Sequence, residues 1–544
     1  MRPLFALPLI LAACGGKAPA QDTQTGPEDA DGDGFAEVDD CDDDNPAVNP
    51  DAVELPYDGL DNDCEPSTFD DDLDYDGRDL AEDCDDEDPL KWSLPDVYDG
   101  DAEWYDYDLC ETYCSRSIGG HLKFDWTGAG IVGEFGCVTS VGGGLYVTQV
   151  RELTSLVGLE RLSSVGGSVL IEDNDSLTSL AGLDGLTFVG GDLDIEYNLA
   201  LVDISALSNL TTLDGSLEVT STNNLTSLAG LEGISTIGGD LRIEGHLSLT
   251  SLAALEGLTS VGGKVYVSHN AALTSLTGLE GLAEVGEDLE LRDNLTLTSL
   301  AGLSGLSALG GGLKVAENTA LTSVAGLDAL TSIGGDLVIH ANPALPGLVG
   351  LEGVTFVLGG VGVFASPLLL SLAGLDGLST VGEGLWVGEN PALTSLSGVE
   401  GLKSLRGGLH VYDNAALPNL SALSGLSSIG GDLYVDNNGA LTSLTGLEGL
   451  TTIDGKVTIE DNGALRNLTG VGALTSIEGS LNLLDNDTLK SLAALKHLTS
   501  VGSNLVVKDN AALCEDEVDD LADQLTSFGG WVTSSNNLGT CPSE

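Results

Sequence analysis

Residues 430–453 read GGDLYVDNNGALTSLTGLEGLTTI, and the reading of this stretch decides the fold. It is the cleanest copy of a 24-residue unit that runs sixteen times, without an insertion, from 142 to 525. The consensus is G-G-x-L-x-[IV]-x-x-N-x-x-L-x-x-L-x-x-L-x-x-L-x-x-[VI], numbered 1–24 from the first glycine. A fixed period of this size marks a solenoid, in which each unit is one coil that buries its apolar edge against its neighbours. The chain has 544 residues, long for a single globular core, and a solenoid escapes that limit by growing in one dimension.

Within the unit, Leu at position 4 and Ile or Val at position 6 alternate with polar residues, the pattern of a short half-buried strand. Successive coils then stack these strands in parallel. The leucines at positions 12, 15, 18 and 21 point inward, and the glycine pair at positions 1–2 is expected to permit a turn back into the strand. Position 9 is Asn in twelve of the sixteen units, among them Asn174, Asn198, Asn270, Asn342, Asn414 and Asn510. A stacked Asn can satisfy backbone groups at a corner that would otherwise be buried unpaired. Its recurrence in nearly every coil marks it as structural rather than catalytic.

This run resembles leucine-rich repeats, and among them the receptor L domain of growth-factor receptors and fungal wall proteins. The resemblance covers about 119–541. It implies a right-handed parallel β-solenoid and recognition of a protein or a glycan, although this array is longer and more uniform than one such domain. The ends depart from the consensus, as caps do. Residues 111–141 read as an N-terminal cap, ending in a degenerate coil. At the other end EDEVDDLADQL, 515–525, has helical spacing and covers the last coil, and 526–544 complete a C-terminal cap.

The formal net charge is −67, and it is unevenly placed: 22–108 hold 35 Asp and Glu against Arg78 and Lys91 alone. Such acidity argues against nucleic acid or anionic lipid surfaces as partners, since both need a basic face. It favours bound cations. Asp29, Asp31 and Asp33 with Gly34 form a DxDxDG loop whose seventh residue is Phe35 and whose twelfth is Asp40. Calcium takes six to eight oxygens, and alternate carboxylates at loop positions 1, 3 and 5 converge when the chain turns at the glycine; position 7 offers its backbone carbonyl and position 12 closes the shell. The pattern returns at Asp72, Asp74, Asp76, Arg78 (the carbonyl position) and Asp83. Each loop runs straight into Cys-Asp-Asp, at Cys41 and at Cys84. Random acidic tracts do not repeat Gly and Cys in register.

The segment from Asp40-Cys41-Asp42-Asp43 to Asp58-Gly59-Leu60-Asp61-Asn62-Asp63-Cys64 resembles the metal-binding motif of the MopE type, and the resemblance extends over about 29–110. That family's name is linked to copper, which prefers imidazole and sulfur. Here the first histidine is His121, beyond both modules, and an oxygen-only ligand set favours calcium as the cofactor. The second copy departs from the motif, with Asp99-Gly100-Asp101 in place of the DG-x-DNDC ending.

The N-terminus, 1–13, reads as a signal peptide: Arg2, then an apolar run from Leu4 to Leu11 too short for a permanent membrane span. Leu11-Ala12-Ala13-Cys14 resembles a bacterial lipobox, which implies lipidation of Cys14 and a membrane anchor. Gly15 after it resembles an outer-membrane sorting signal, so the expected location is an exported outer-membrane lipoprotein. Residues 14–27 form a flexible tether, and 28–110 hold the two acidic modules. Eight further cysteines in an exported chain suggest disulfides, with Cys41–Cys64, Cys84–Cys110, Cys114–Cys137 and Cys514–Cys541 the pairs their positions suggest.

Outward positions 5 and 7 of the strand are free of the core consensus. Mostly they are charged or Thr, but in five adjacent coils they become Val338, His340, Phe364, Trp386, His410, Tyr412 and Tyr434. Of these, Phe364, Trp386, His410, Tyr412 and Tyr434 are the candidate ligand-binding residues, because grouped exposed aromatics mark recognition surfaces. Side-chain stacking that merely stabilises the sheet is the competing explanation. The function expected is therefore a non-catalytic, lipid-anchored surface protein that recognises a protein or glycan. A polysaccharide-active β-helix enzyme using His340 and His410, or a purely structural rod, is the alternative; against the enzyme, the array has no loop insertions to build a cleft.

Overall fold

The computed structural model describes residues 29–35, 38–53, 55, 60–65, 97–98, 100–103, 117–125 and 132–541. The chain divides into two compact units, one of 1–93 with 112–114 and the other of 94–111 with 115–544. In the first, the described residues form turns rather than helix or strand. A disulfide joins Cys41 to Cys64 with Cα atoms 5.7 Å apart. Asn62, buried, accepts backbone N–H groups through both its carbonyls, from Asn49 at 2.8 Å and from Leu55 at 2.8 Å, so this module is held by one cross-link and one buried amide.

The second unit is the parallel β-solenoid that the period predicts. Each coil contributes a four-residue strand at positions 4–7, such as Leu433–Asp436, which pairs in parallel with residues 24 further on, Leu433 with Val457 and Tyr434 with Thr458, except in the last coil, where Leu505 pairs with Val532. Leu441, Leu444, Leu447 and Leu450 of this coil are fully buried, with Leu433, Val435 and Ile453. The strand alternation is as expected, with positions 4 and 6 inside and 5 and 7 partly exposed. The stack begins before the regular repeats, since Val97–Tyr98 pairs with Ser117–Ile118 and Ala102–Glu103 with Leu122 and Lys123.

A second sheet accompanies the first. Positions 23–24 form two-residue strands, such as Thr452–Ile453, and among the described residues each sheet has nineteen strands. The inward Val or Ile that closes each unit belongs to this second sheet. The chain does bend at the glycine pair of positions 1–2 on its way into the strand, as expected. These glycines do not lie in the left-handed region. They give clearance instead: a Cβ on Gly430 would collide with the Arg406 carbonyl of the coil below.

The left-handed turn sits at position 8. All sixteen coils leave the strand through a residue with positive φ there, and only one of these, Gly245, is glycine. A side chain in that region costs about 1–2 kcal/mol, which Asp and Asn, seven of the sixteen, bear best. The Asn ladder at position 9 offsets the cost. Asn438 Oδ1 accepts the Asn414 backbone N–H at 3.2 Å, and its Nδ2 donates to the Val411 carbonyl at 2.9 Å and to Asn462 Oδ1 at 3.3 Å. Each such bond stabilises by roughly 1 kcal/mol net, and leaving its buried partner unmet would cost about 1–3 kcal/mol.

A further turn separates two coil types. Where position 17 is Gly, φ is usually near the +117° of Gly470, and the glycine N–H is usually taken by an acid two residues on, as Gly446 N–H is by Glu448 Oε2 at 2.9 Å. Where it is Ala, as in Ser205–Leu207 and Ser421–Leu423, the turn is 3-10. A Cβ on Gly182 would strike the Leu156 carbonyl, so the left-handed form admits only glycine. At the far end helix α1, Glu515–Gln524, buries Val518 and Leu521 as the helical spacing predicts. Gln524 Nε2 donates to the Leu495 and Leu498 carbonyls at 2.6 and 2.8 Å, and a disulfide joins Cys514 to Cys541.

The ladder changes character at Thr222 and His246. His246 Nε2 lies 2.9 Å from the Val219 carbonyl, and Nδ1 lies 2.9 Å from the Thr222 hydroxyl and 3.2 Å from the Thr222 carbonyl. Burial holds the imidazole below its usual 6.5, against the pull of backbone bonds to Thr222 and Val219. The unfolded chain therefore takes up the proton first, and His246 costs stability as pH falls below about 6.5. His246→Asn, which restores the consensus residue, should gain stability over the natural chain increasingly between pH 7.5 and 5. Thermal melts of the two proteins across that range check this, and a constant difference would refute it.

Candidate metal loop and recognition face

In the first acidic loop the backbone bends around its own carboxylates. Asp29 Oδ1 accepts the Gly32 N–H at 2.6 Å and Oδ2 the Gly34 N–H at 3.1 Å. Asp33 Oδ1 accepts the Phe35 N–H at 2.9 Å, and Asp43, not singled out in the sequence, ties Ala30 N–H at 3.2 Å. This folding brings Asp29, Asp31 and Asp33 together, with one carboxylate oxygen of each within 4.8 Å of the others. Asp40 is 8% exposed. Asp31 Oδ2, Asp33 Oδ2 and Asp40 Oδ2 are all buried and unpartnered, an expensive arrangement for anions. Asp31 is pushed above the usual carboxylate range, first by loss of water and then by the charges of Asp33, Asp40 and Asp29.

Those orphaned oxygens fit a hard cation. Cys41 and Cys64 are tied up in their disulfide and offer no thiolate, so the donor set is oxygen. The second loop, Asp72, Asp74, Asp76, Arg78 and Asp83, lies outside the described residues, as do Cys14, Cys84, Cys110 and Cys114. Cys137 is disulfide-bonded.

On the solenoid the five aromatic candidates are gathered on one sheet. Register places Trp386 beside His410 and His410 beside Tyr434, with ring centroids 6.0 and 5.7 Å apart. In the neighbouring row Phe364 meets His340 at 6.3 Å and reaches over Gly388 to Tyr412 at 6.3 Å. The glycines are part of the device. A Cβ on Gly388 would enter the Tyr412 ring, on Gly362 the Phe364 ring, and on Gly360 the Trp386 ring. The rings thus lie over bare backbone, half-buried, and do two jobs: they cover the sheet and they present apolar surface. Tyr434 donates to Asp436 Oδ2 at 3.0 Å, and burial, with that bond second, raises its phenol to about 12. Burial lowers His410 despite the nearby Asp432, so at neutral pH this face carries little charge of its own.

A groove of about 430 Å³ opens elsewhere on the array, lined by Glu196, Glu218, Ser221, Arg242, Gly245 and His269 among others. At position 8 it is flanked by the small residues Ser221 and Gly245, between Tyr197 and His269. Arg242 is paired with Glu244, and His269 stands 3.4 Å from both Glu244 and Asp293. Asp194 and Glu218 face each other in register, and burial, with Glu218 next, raises Asp194 to about 7. The sequence signal was available: Gly245 is the one glycine at position 8, and it precedes His246, the one histidine in the ladder.

A family model described as "Putative metal-binding motif", of the Cu-binding MopE type, matches residues 40–68 and 83–94. No curated protein matches the chain. Among solved structures, an internalin of Listeria monocytogenes is similar at 15% identity, covering 61% of this chain and 86% of its own, with a TM-score of 0.29. A leucine-rich repeat protein of Leptospira interrogans is similar at 15% identity, covering 73% and 91%, with a TM-score of 0.24. The mouse RP105/MD-1 complex is similar at 13%, covering 77% and 78%, with a TM-score of 0.26. At such scores these likenesses carry no functional argument. The chain thus joins a matched metal-binding motif to a leucine-rich-repeat-like solenoid.

Proposed function

We propose that this is a non-catalytic, lipid-anchored protein of the outer membrane, whose acidic modules bind calcium and whose solenoid recognises a protein or glycan through the aromatic sheet face. The aromatic face carries this reading. The fold fixes the inward leucines, the ladder and the turn acids, so recognition falls to outward strand positions. There Phe364, Trp386, His410, Tyr412 and Tyr434 form the group of rings. Aromatic anchors contribute disproportionately to binding. Calcium in the first loop would neutralise Asp31, Asp33 and Asp40, whose outer oxygens are otherwise buried without partners, and would stiffen the chain between anchor and solenoid.

Three measurements test the parts. In calorimetry of the purified chain, calcium should bind and Asp33→Asn should weaken it several-fold by removing one charged ligand; absence of heat at millimolar calcium would remove the metal from this account. Cys14→Ala should move the protein from the membrane fraction to the soluble one. A protein and glycan array probed with the mature chain should yield a ligand whose affinity falls on Trp386→Ala, by about tenfold or more, while the melting temperature hardly moves. Unchanged affinity for that ligand would show that the rings only cover the sheet.

A further inference from the structure

The aromatic face adjoins a break in the chain's charge. From Leu337 to Leu375, 39 residues, Glu352 is the one charged residue, in a chain of net charge −67. Apolar exposure is concentrated in the same place: Val349 is 62% exposed, Leu358, Leu368 and Leu370 each 55%, and Phe356 38%. In repeat register two of these residues fall at positions that elsewhere carry other types. Leu358 replaces the glycine or charged residue of position 1, and Leu368 occupies position 11, which is otherwise small or polar. The ladder residue of this coil is Ser366, which donates to its own coil at the Phe364 carbonyl, 3.2 Å away. One coil has therefore given up its position-1 glycine and its ladder Asn together, and Asp376 is the one charged residue it keeps. Trp386 extends the apolar surface by covering Gly360, two residues from Leu358.

The occupant follows from dimensions. At roughly 4.8 Å per coil the neutral band is about 8 Å wide, close to the Debye length of about 8 Å at physiological salt. On either side stand exposed acids, Asp328 and Asp336 before it, Glu383 and Glu389 after it. A second copy laid on the band would bring acidic coils against acidic coils within screening distance. A partner with basic residues around an apolar centre meets attraction at the rim and burial at the core, the usual anatomy of a protein interface.

We infer that the collar formed by Leu358, Leu368, Leu370 and the neighbouring Phe364 and Trp386 is a docking site for a protein partner that presents an apolar segment flanked by Lys and Arg. This rests on the reading of the aromatic face as a recognition surface and extends it around the coil. The acidic rim steers encounter and the leucines hold the complex.

The test uses the full chain and three synthetic amphipathic helical peptides, one of Leu and Lys, one of Leu and Glu, and one of Ser and Lys. The Leu/Lys peptide should bind, with the other two about tenfold weaker or worse, and the double variant Leu358→Ser, Leu370→Ser should lose about tenfold in affinity. Val202→Ser, at the position equivalent to Leu370 seven coils earlier and 52% exposed, should lose nothing. Equal binding of the Ser/Lys peptide, equal binding of the Leu/Glu peptide, or an unaffected double variant each overturns the inference. So does sedimentation of the natural chain as a dimer that the double variant dissociates, since the collar would then belong to a second copy. If Trp386→Ala weakens the peptide and the double variant does not, the aromatic face stands and the collar falls; the reverse result removes the aromatic face and leaves the collar.

Discussion

Every coil must turn a corner whose backbone is buried between two neighbours, and the side-chain amide at position 9 is what makes that corner tolerable. Without it, the N–H at position 9 and the carbonyl at position 6 would face protein on all sides with no partner. Where the coil above carries Asn, the corner is satisfied by it, as Asn414 N–H is by Asn438, and the left-handed residue just before it is borne. The rest follows from that stacking. Glycine at positions 1–2 lets backbones approach, the inward leucines fill the interior, and outward positions are left without a structural duty.

The acidity of the repeats reads differently once the turns are seen. Asp and Glu at position 19, such as Glu232, Glu280, Glu352 and Glu448, accept the N–H of the left-handed glycine two residues earlier. A good part of the negative charge of the array is thus turn chemistry, a carboxylate doing what a second backbone carbonyl cannot reach to do. The loop of Asp29, Asp31, Asp33 and Asp40 is of another kind. One oxygen each of Asp31, Asp33 and Asp40 is buried and left unpartnered, which no turn requires.

The solenoid, its strand alternation and the capping helix were legible because each rests on hydrophobic periodicity, which one chain displays sixteen times. The second sheet was not, because a two-residue strand has no period of its own, and its single inward residue, such as Ile453, looks like the last of the leucine run. The position-8 turn was hidden by variety: Gln149, Tyr197, Ala341 and Asp485 share a conformation but no chemistry. The bend at the glycine pair was legible but not its reason, because glycine serves both a positive φ and close contact, and sequence alone does not separate them. For the sites, the alternation of Asp29, Asp31 and Asp33 was visible in the chain and these three come together, while Asp40 groups with Cys41 and Cys64. The groove beside Tyr197 is lined by residues of several coils whose outward side chains share no motif.

The ladder is not continuous. Its asparagines run through Asn174 and Asn198, then from Asn270 to Asn342, then from Asn390 to Asn510, with Thr222 and His246 in the first gap and Ser366 in the second. Because a solenoid holds together as a sum of nearest-neighbour interfaces, these gaps are seams. The strands still pair without a break across them, so what is thinned there is the side-chain bonding between corners. Both seams coincide with departures on the outer surface, the acidic groove at one and the apolar collar at the other. Contact made at either place falls on a joint where the ladder is thinned.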